Sequence, residues 1–271
     1  MVRSSSEFQP LQFSMEEIRA TIPPQFFIRD TARSLLYLAR DFCLAIFTGL
    51  TIFYLNDALR QVEVSASPAY SVLVLGARTT IWCLYWWYQG LILTGIWVIG
   101  HECGHGAFSS SRTLCDIIGF VLHTALWTPY FSWRITHHRH HANHASMEKD
   151  EVYVPKTRSD LGIPPLQDGS IDWEDYFGDT PLWTLLMLVR QQLFAFPAYL
   201  FFNVSGQKSY PPWTNHFNSR SVLFTRQQRN AVLLSNMGIL AAAVLTWKAM
   251  KTFGAAVVLQ YYGVPWLLVT H

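Results

Sequence analysis

Residues 81–100 read IWCLYWWYQGLILTGIWVIG, twenty positions without a charge, and the next five read HECGH. A helix needs about 20 mostly apolar residues to cross the hydrocarbon core. The run therefore predicts a membrane span that ends by delivering His101 to the membrane surface. Trp82, Tyr85, Trp86, Trp87 and Tyr88 crowd its start, and such amphipathic rings prefer the headgroup level, so they predict an interface belt. The composition agrees: 51% of residues are hydrophobic and 14% are charged, whereas a soluble domain carries about a quarter charged residues. The formal net charge is +2, and the basic residues form no stripe interleaved with aromatics, which sets nucleic acid aside as a partner.

Other apolar runs complete the expected architecture. Residues 42–55 reach spanning length only by including 35–41, where Arg40 and Asp41 must snorkel or pair. Residues 231–247 and 252–270 predict a second close pair, joined by KAMK and interrupted at Pro265. Residues 117–127 are short, and 182–200 carry Arg190, Gln191, Gln192 and Pro197, so both predict helices lying in the interface. The expectation is an all-α integral membrane protein, a single domain over 1–271 with about four transmembrane helices in two hairpins. Residues 1–34 and 101–230 then share one side. Arg19, Arg29, Arg33, Arg220, Arg226 and Arg229 favour the cytosol for that side, against Lys248 and Lys251. No signal-peptide pattern precedes Leu35. Residues 147–179 are polar, acidic and proline-bearing, and predict a solvent-facing loop. Cys43, Cys83, Cys103 and Cys115 lack paired spacing and predict small buried hydrophobes rather than disulfides.

HECGH puts His101 and His105 four residues apart on one helical face, with Glu102 beside them as a potential general base. Alone this is the signature of a zinc peptidase. That chemistry needs three protein ligands and an open position for water, whereas THHRHHANH at 136–144 supplies His137, His138, His140, His141 and His144. His137, His140 and His141 can face the same surface as the first box. Five imidazoles in two boxes suit two metal ions better than one zinc. Imidazole also suits iron, and a methylene group with no acidic proton yields its hydrogens only to metal and dioxygen chemistry.

HECGHGAFS from 101, WRITHHRHHANHASMEKDEVYVPKTR from 133, PAYLFFNVSG from 197, YYGVPWLLV from 261 and TIPPQFFIRDTARSLLYLARD near the N terminus resemble the membrane-bound fatty acid desaturases, of delta-12 oleate desaturase type. The resemblance implies a non-haem di-iron enzyme of the endoplasmic reticulum membrane with its boxes facing the cytosol. It would take electrons from cytochrome b5, use O2, and insert a second cis double bond into an oleoyl chain on a phospholipid. It assigns His101 and His105 to the first box and His137, His140 and His141 to the second, all as metal ligands. Gly106 departs from plant members, which often carry histidine there. The family also has a third box of HxxHH type, absent from these 271 residues, where only the terminal His271 follows the last apolar run. The expectation for this chain alone is an incomplete site, weak iron binding and no activity.

Competing readings are an intramembrane zinc peptidase, a silent membrane subunit, and a related hydroxylase, epoxygenase or omega-3 desaturase. Glu102, Asp116, Asp150, Glu151, His138 and His144 have both ordinary polar and metal-related readings. His123 is expected to be a satisfied interfacial histidine and His216 a surface residue. Asn203-Val204-Ser205 matches a glycosylation acceptor, but on the side expected to be cytosolic, where it stays unmodified.

Overall fold

The computed structural model describes residues 13–64, 67–162, 178 and 180–269. Every regular element among them is helical, as the sequence predicts. In chain order these are α1 (Met15–Ala20), α2 (Thr31–Val64), α3 (Pro68–His105), α4 (Arg112–Ala125), α5 (Tyr130–Asn143), α6 (Pro181–Phe202) and α7 (Arg229–Phe253). A last helical segment follows, made of α8 (Ala255–Val258), a π stretch (Leu259–Gly263) and α9 (Val264–Leu267). His271 lies outside the described residues, as do residues 163–177 and 179 of the acidic loop.

α2 and α3 form the expected hairpin. Thr48 donates to Gln89 at 2.5 Å, Trp82 donates to Asn56 at 3.1 Å, and Arg78 pairs with Glu63. The partners' numbers run in opposite order, so the two helices are antiparallel. Asp41 is buried and takes a 2.8 Å hydrogen bond from Arg40, the pairing expected of two charges in an apolar helix. A Cβ at Gly95 would stand 3.2 Å from the Asp41 carboxylate, so the small residue makes room for the charge.

Among the described residues, three helices are long and apolar enough to cross a membrane: Thr31–Glu63, Pro181–Phe202 and Arg226–Phe253. α4 and α5 together pass the same test but are bent by 109°. Residues 81–100 lie inside the unbroken 38-residue α3, yet α3 is not among the three, because its indole and phenol rings and Gln89 lower its mean hydropathy. α6 covers the run 182–200, expected in the interface, and has the length and composition of a span. It is a continuous 22-residue helix whose apolar stretch is only 6% buried inside the molecule, because Arg190 and the glutamines interrupt the apolar pattern without breaking the helix. The predicted last span begins later than expected: Gly254, at φ 91°, ends α7, and helical backbone then runs from Ala255 to Leu267 through a π segment at Leu259–Gly263.

That last segment packs against α3. Gly90 admits it, since a Cβ there would lie 2.8 Å from Leu268 Cβ. Tyr85 donates to the Tyr261 carbonyl at 3.0 Å and Trp86 to the Gln260 carbonyl at 2.9 Å. Trp82 and Tyr85 are therefore buried beside Tyr261 rather than standing in a belt, whereas Trp87 and Tyr88 do face outward. Cys103 and Cys115 are buried as expected, but Cys43 and Cys83 are exposed on the outer faces of the hairpin; all four thiols are free. The main core joins Ile92, Ile96 and Trp97 of α3 to Leu122 and Leu126 on and after α4, Trp133 of α5 and Val269. Each such side chain contributes about 1.5–3 kcal/mol by leaving water.

Candidate metal centre

The core continues directly into the histidine boxes. α3 ends at His105 because Gly106 turns into the left-handed region, φ 71°, where its N–H and that of Ala107 close on the Cys103 and Glu102 carbonyls. A Cβ at 106 would start toward the Arg112 guanidinium, 3.2 Å away, not toward an imidazole. Gly106 is thus the helix cap.

α5 carries the second box and is fixed from four sides. Ser235 of α7 accepts the Phe131 and Ser132 N–H groups at 2.9 and 3.3 Å, capping α5 from another helix. Arg134 pairs with Asp116 of α4 and lies over the Tyr130 and Phe131 rings. Thr136 meets Tyr199 of α6 and His216 at 3.2 and 3.1 Å. Arg139 pairs with Glu151 and donates to the Leu223 carbonyl.

Held this way, four imidazoles converge. His101 Nε2 lies 3.0 Å from His105 Nε2 and 3.3 Å from His137 Nε2; His137 Nε2 lies 3.2 Å from His105 Nε2 and 3.0 Å from His141 Nε2. One ligand nitrogen from each falls within 4.8 Å of all the others. Nitrogens packed so closely cannot all be satisfied by one another, since each neutral ring has one N–H and one lone pair. Lone pairs aimed at a common point fit a cation. Burial, reinforced by the neighbouring imidazoles, pushes His101 down to about 4 and His137 down to about 2, and it lowers His105 and His141 as well. The rings are therefore neutral near pH 7, the form that ligates metal.

His140 does not join these four. Its Nδ1 lies 2.6 Å from the fully buried Asp150 carboxylate, in a second group with His144. His138 turns its Nε2 to the Gly104 carbonyl at 2.8 Å, which ties α5 to α3. The Glu102 carboxyl is raised by burial, and no hydrogen bond joins it to a histidine among the described residues. Asp116 and Glu151 serve the arginines of α5. His123 is fully buried, stacked 5.1 Å from Trp97 with its Nε2 3.1 Å from the Trp97 carbonyl.

His216 corrects the surface reading: it is fully buried, because residues 203–228 fold back over α5 and α6, and burial holds its pKa down at about 4. Trp133, which no sequence motif singles out, stacks on His137 with centroids 4.4 Å apart. Its spacing of four residues before His137 was the available signal.

A family model for fatty acid desaturases matches residues 79–271. The delta(12) fatty acid desaturases of Mortierella alpina and Mortierella isabellina are each 38% identical over 268 residues, covering 97% of this chain and 63% of the relative. An oleoyl-12-hydroxylase of Ricinus communis is 37% identical over 257 residues, covering 95% of this chain and 60% of the relative. The chain thus spans about three fifths of the length of the curated relatives it matches.

Proposed function

From the premise that this chain belongs to the fatty acid desaturase family, we propose that it forms the metal-binding membrane portion of an acyl-lipid delta-12 desaturase. The single observation that carries this reading is the convergence of four neutral imidazoles from two helices, in a chain 38% identical to delta(12) desaturases. The overall reaction consumes an oleoyl chain, O2, two electrons and two protons, and yields a linoleoyl chain and two waters.

The metal of this reading is iron, with His101, His105, His137 and His141 around one ion and His140 presented to a second. Iron held there would supply the oxidising chemistry that an unactivated methylene pair requires. The chain's own residues do the rest. Trp97 and Trp133 pack against His101 and keep water from that side of the cluster. Gly106 ends α3 directly after His105, and the Ser235 cap sets the depth of α5, so the two boxes meet. The membrane is that of the endoplasmic reticulum, with the boxes toward the cytosol, the acyl chain delivered from a phospholipid in the bilayer and electrons from cytochrome b5; the arginines flanking α2 and α7 support that orientation.

The test is expression of these residues, alone and joined to the remaining C-terminal part of the Mortierella alpina relative, in a yeast host that makes oleate but no linoleate. Linoleate in the joined arm is the expected outcome. A 12-hydroxylated product would transfer the assignment to the chemistry named for the Ricinus communis relative, and no new lipid in both arms would overturn the reading.

A further inference from the structure

Asp150 has no solvent exposure. A buried carboxylate is costly unless its oxygens are occupied, and both are. Oδ1 accepts the Val152 and Tyr153 N–H groups at 3.2 and 3.1 Å, and Oδ2 lies 2.6 Å from His140 Nδ1. The backbone around it is clamped by a separate turn. Gln207 donates to the Met147 and Asp150 carbonyls at 2.9 and 2.7 Å, Asn203 to the Glu151 carbonyl at 3.1 Å, and Ser205 to the Val152 carbonyl at 2.6 Å. The Val154 N–H returns to the Ser205 carbonyl at 2.7 Å.

Gly206 closes this clamp. A Cβ there would come within 2.1 Å of Asn203 Nδ2 and 2.6 Å of the Glu151 carbonyl. The NVSG stretch that matches a glycosylation acceptor is therefore committed to holding the loop that carries Asp150. The Asn203 amide is engaged and its residue buried, so it is not offered for modification.

We propose that Asp150 is a positioning residue that fixes the tautomer of His140, holding the ring proton on Nδ1 so that the Nε2 lone pair is presented to a metal ion. The inference rests on the metal-binding reading above and adds to it a role for the loop at 147–154 and the turn at 203–207. Asp150 is not itself a ligand in this arrangement. A cation bound to Oδ2 would have to displace the imidazole N–H, and Oδ1 is already held by two backbone N–H groups. Carboxylates that orient ligating imidazoles act in this way, and their loss weakens metal binding or activity by about 10–100-fold.

Asp150→Asn separates this role from mere packing. The carbonyl oxygen of the introduced amide must stay with the two backbone N–H groups, because the reverse orientation would set NH2 against two donors. The amide NH2 then faces His140 Nδ1, which can only accept, so the proton moves to Nε2. The experiment uses the 271-residue chain in lipid nanodiscs, metal-free, with 15N-labelled histidine, at mildly alkaline pH. Ring-nitrogen shifts identify the tautomers, and the signal lost in His140→Gln identifies His140. The expected result is Nδ1–H for His140 in the unsubstituted chain and Nε2–H in D150N, with His101, His105, His137 and His141 unmoved. Nε2–H in the unsubstituted chain overturns the proposal, as does an unchanged tautomer in a folded D150N. Should D150N fail to fold, the unsubstituted tautomer alone decides. Addition of Co2+ alone is a separate arm: failure of the unsubstituted chain to bind it would count against the metal reading and leave the tautomer result standing.

Discussion

Trp133 lies flat against His137, with ring centroids 4.4 Å apart and planes 21° apart, one turn earlier on the same helix. The indole is buried, 3% exposed, and its other neighbours include His101 at 5.1 Å and His123 at 4.8 Å. It is the wall that stops the His137 ring from rotating out of the cluster.

Trp133→Ala removes that wall and leaves a large cavity, so it should cost about 3–5 kcal/mol of stability. Trp133→Phe retains most of the volume and should cost much less. Denaturant unfolding in detergent micelles, followed by tyrosine fluorescence or circular dichroism, compares the two; equal losses would show that the indole does not brace the site.

The cluster should make the metal-free protein acid-sensitive. His101 and His137 titrate at about 4 and about 2, below the ordinary 6.5. Their folded values are lowered, so below about pH 6.5 the unfolded chain takes up protons that the folded chain refuses. Stability falls with decreasing pH wherever the unfolded state binds more protons. The expected loss begins near 6.5, continues to about 4 where His101 protonates, and goes on toward about 2 for His137. Unfolding midpoints measured from about pH 7.5 down to about 4.5, which covers the onset and most of the His101 part of this loss, test the expectation, and a midpoint that rises on acidification would contradict the neutral cluster.

Across the two boxes the structure separates converging histidines from their neighbours. His101→Ala, His105→Ala, His137→Ala or His141→Ala should each weaken Co2+ binding by more than about tenfold, since each removes a converging nitrogen. His138→Gln should bind Co2+ as the unsubstituted chain does, because the His138 Nε2 is already engaged with the Gly104 carbonyl. Titration followed by the visible cobalt absorption distinguishes the two classes.

Ser235→Ala deletes the hydroxyl that accepts two N–H groups at the start of α5. Loss of a capping oxygen costs about 0.5–2 kcal/mol, and Ser235→Thr should recover most of it. Hydrogen exchange at Phe131 and Ser132 reports the effect directly: faster exchange in the alanine variant, near-native exchange in the threonine variant.

Gly106→Ala places a side chain at φ 71°, where an L-residue is strained by about 1–2 kcal/mol. The last turn of α3 should fray, with faster amide exchange at Gly106 and Ala107 and weaker Co2+ binding through His105. Unchanged exchange at both amides would show that the left-handed cap is dispensable.

The all-α membrane class and the pairing of α2 with α3 were legible in the sequence because both depend on local hydrophobic runs and a short connection. The i,i+4 spacing of His101 with His105 and of His137 with His141 likewise fixes each pair on one helical face before any tertiary contact exists. What spacing could not decide is which imidazoles share a point. His140 is next to His141 in sequence, but successive residues on a helix diverge by about 100°, and that turn takes His140 to Asp150 and leaves His141 with His137. His216 read as a surface residue because nothing local distinguishes a buried histidine; its burial comes from the fold-back of 203–228 onto Leu200 and Thr136. The run at 252–270 has the composition of a span, yet Gly254 confines the helix to 255–267, and contacts with Tyr85, Trp86 and Gly90 seat it on α3. Hydropathy and periodicity are properties of a segment, and they set which helices form and which faces carry the ligands. Convergence of nitrogen atoms from α3 and α5, the cap donated by Ser235 and the clamp on Asp150 each require residues tens of positions apart to meet, so only packing could decide them.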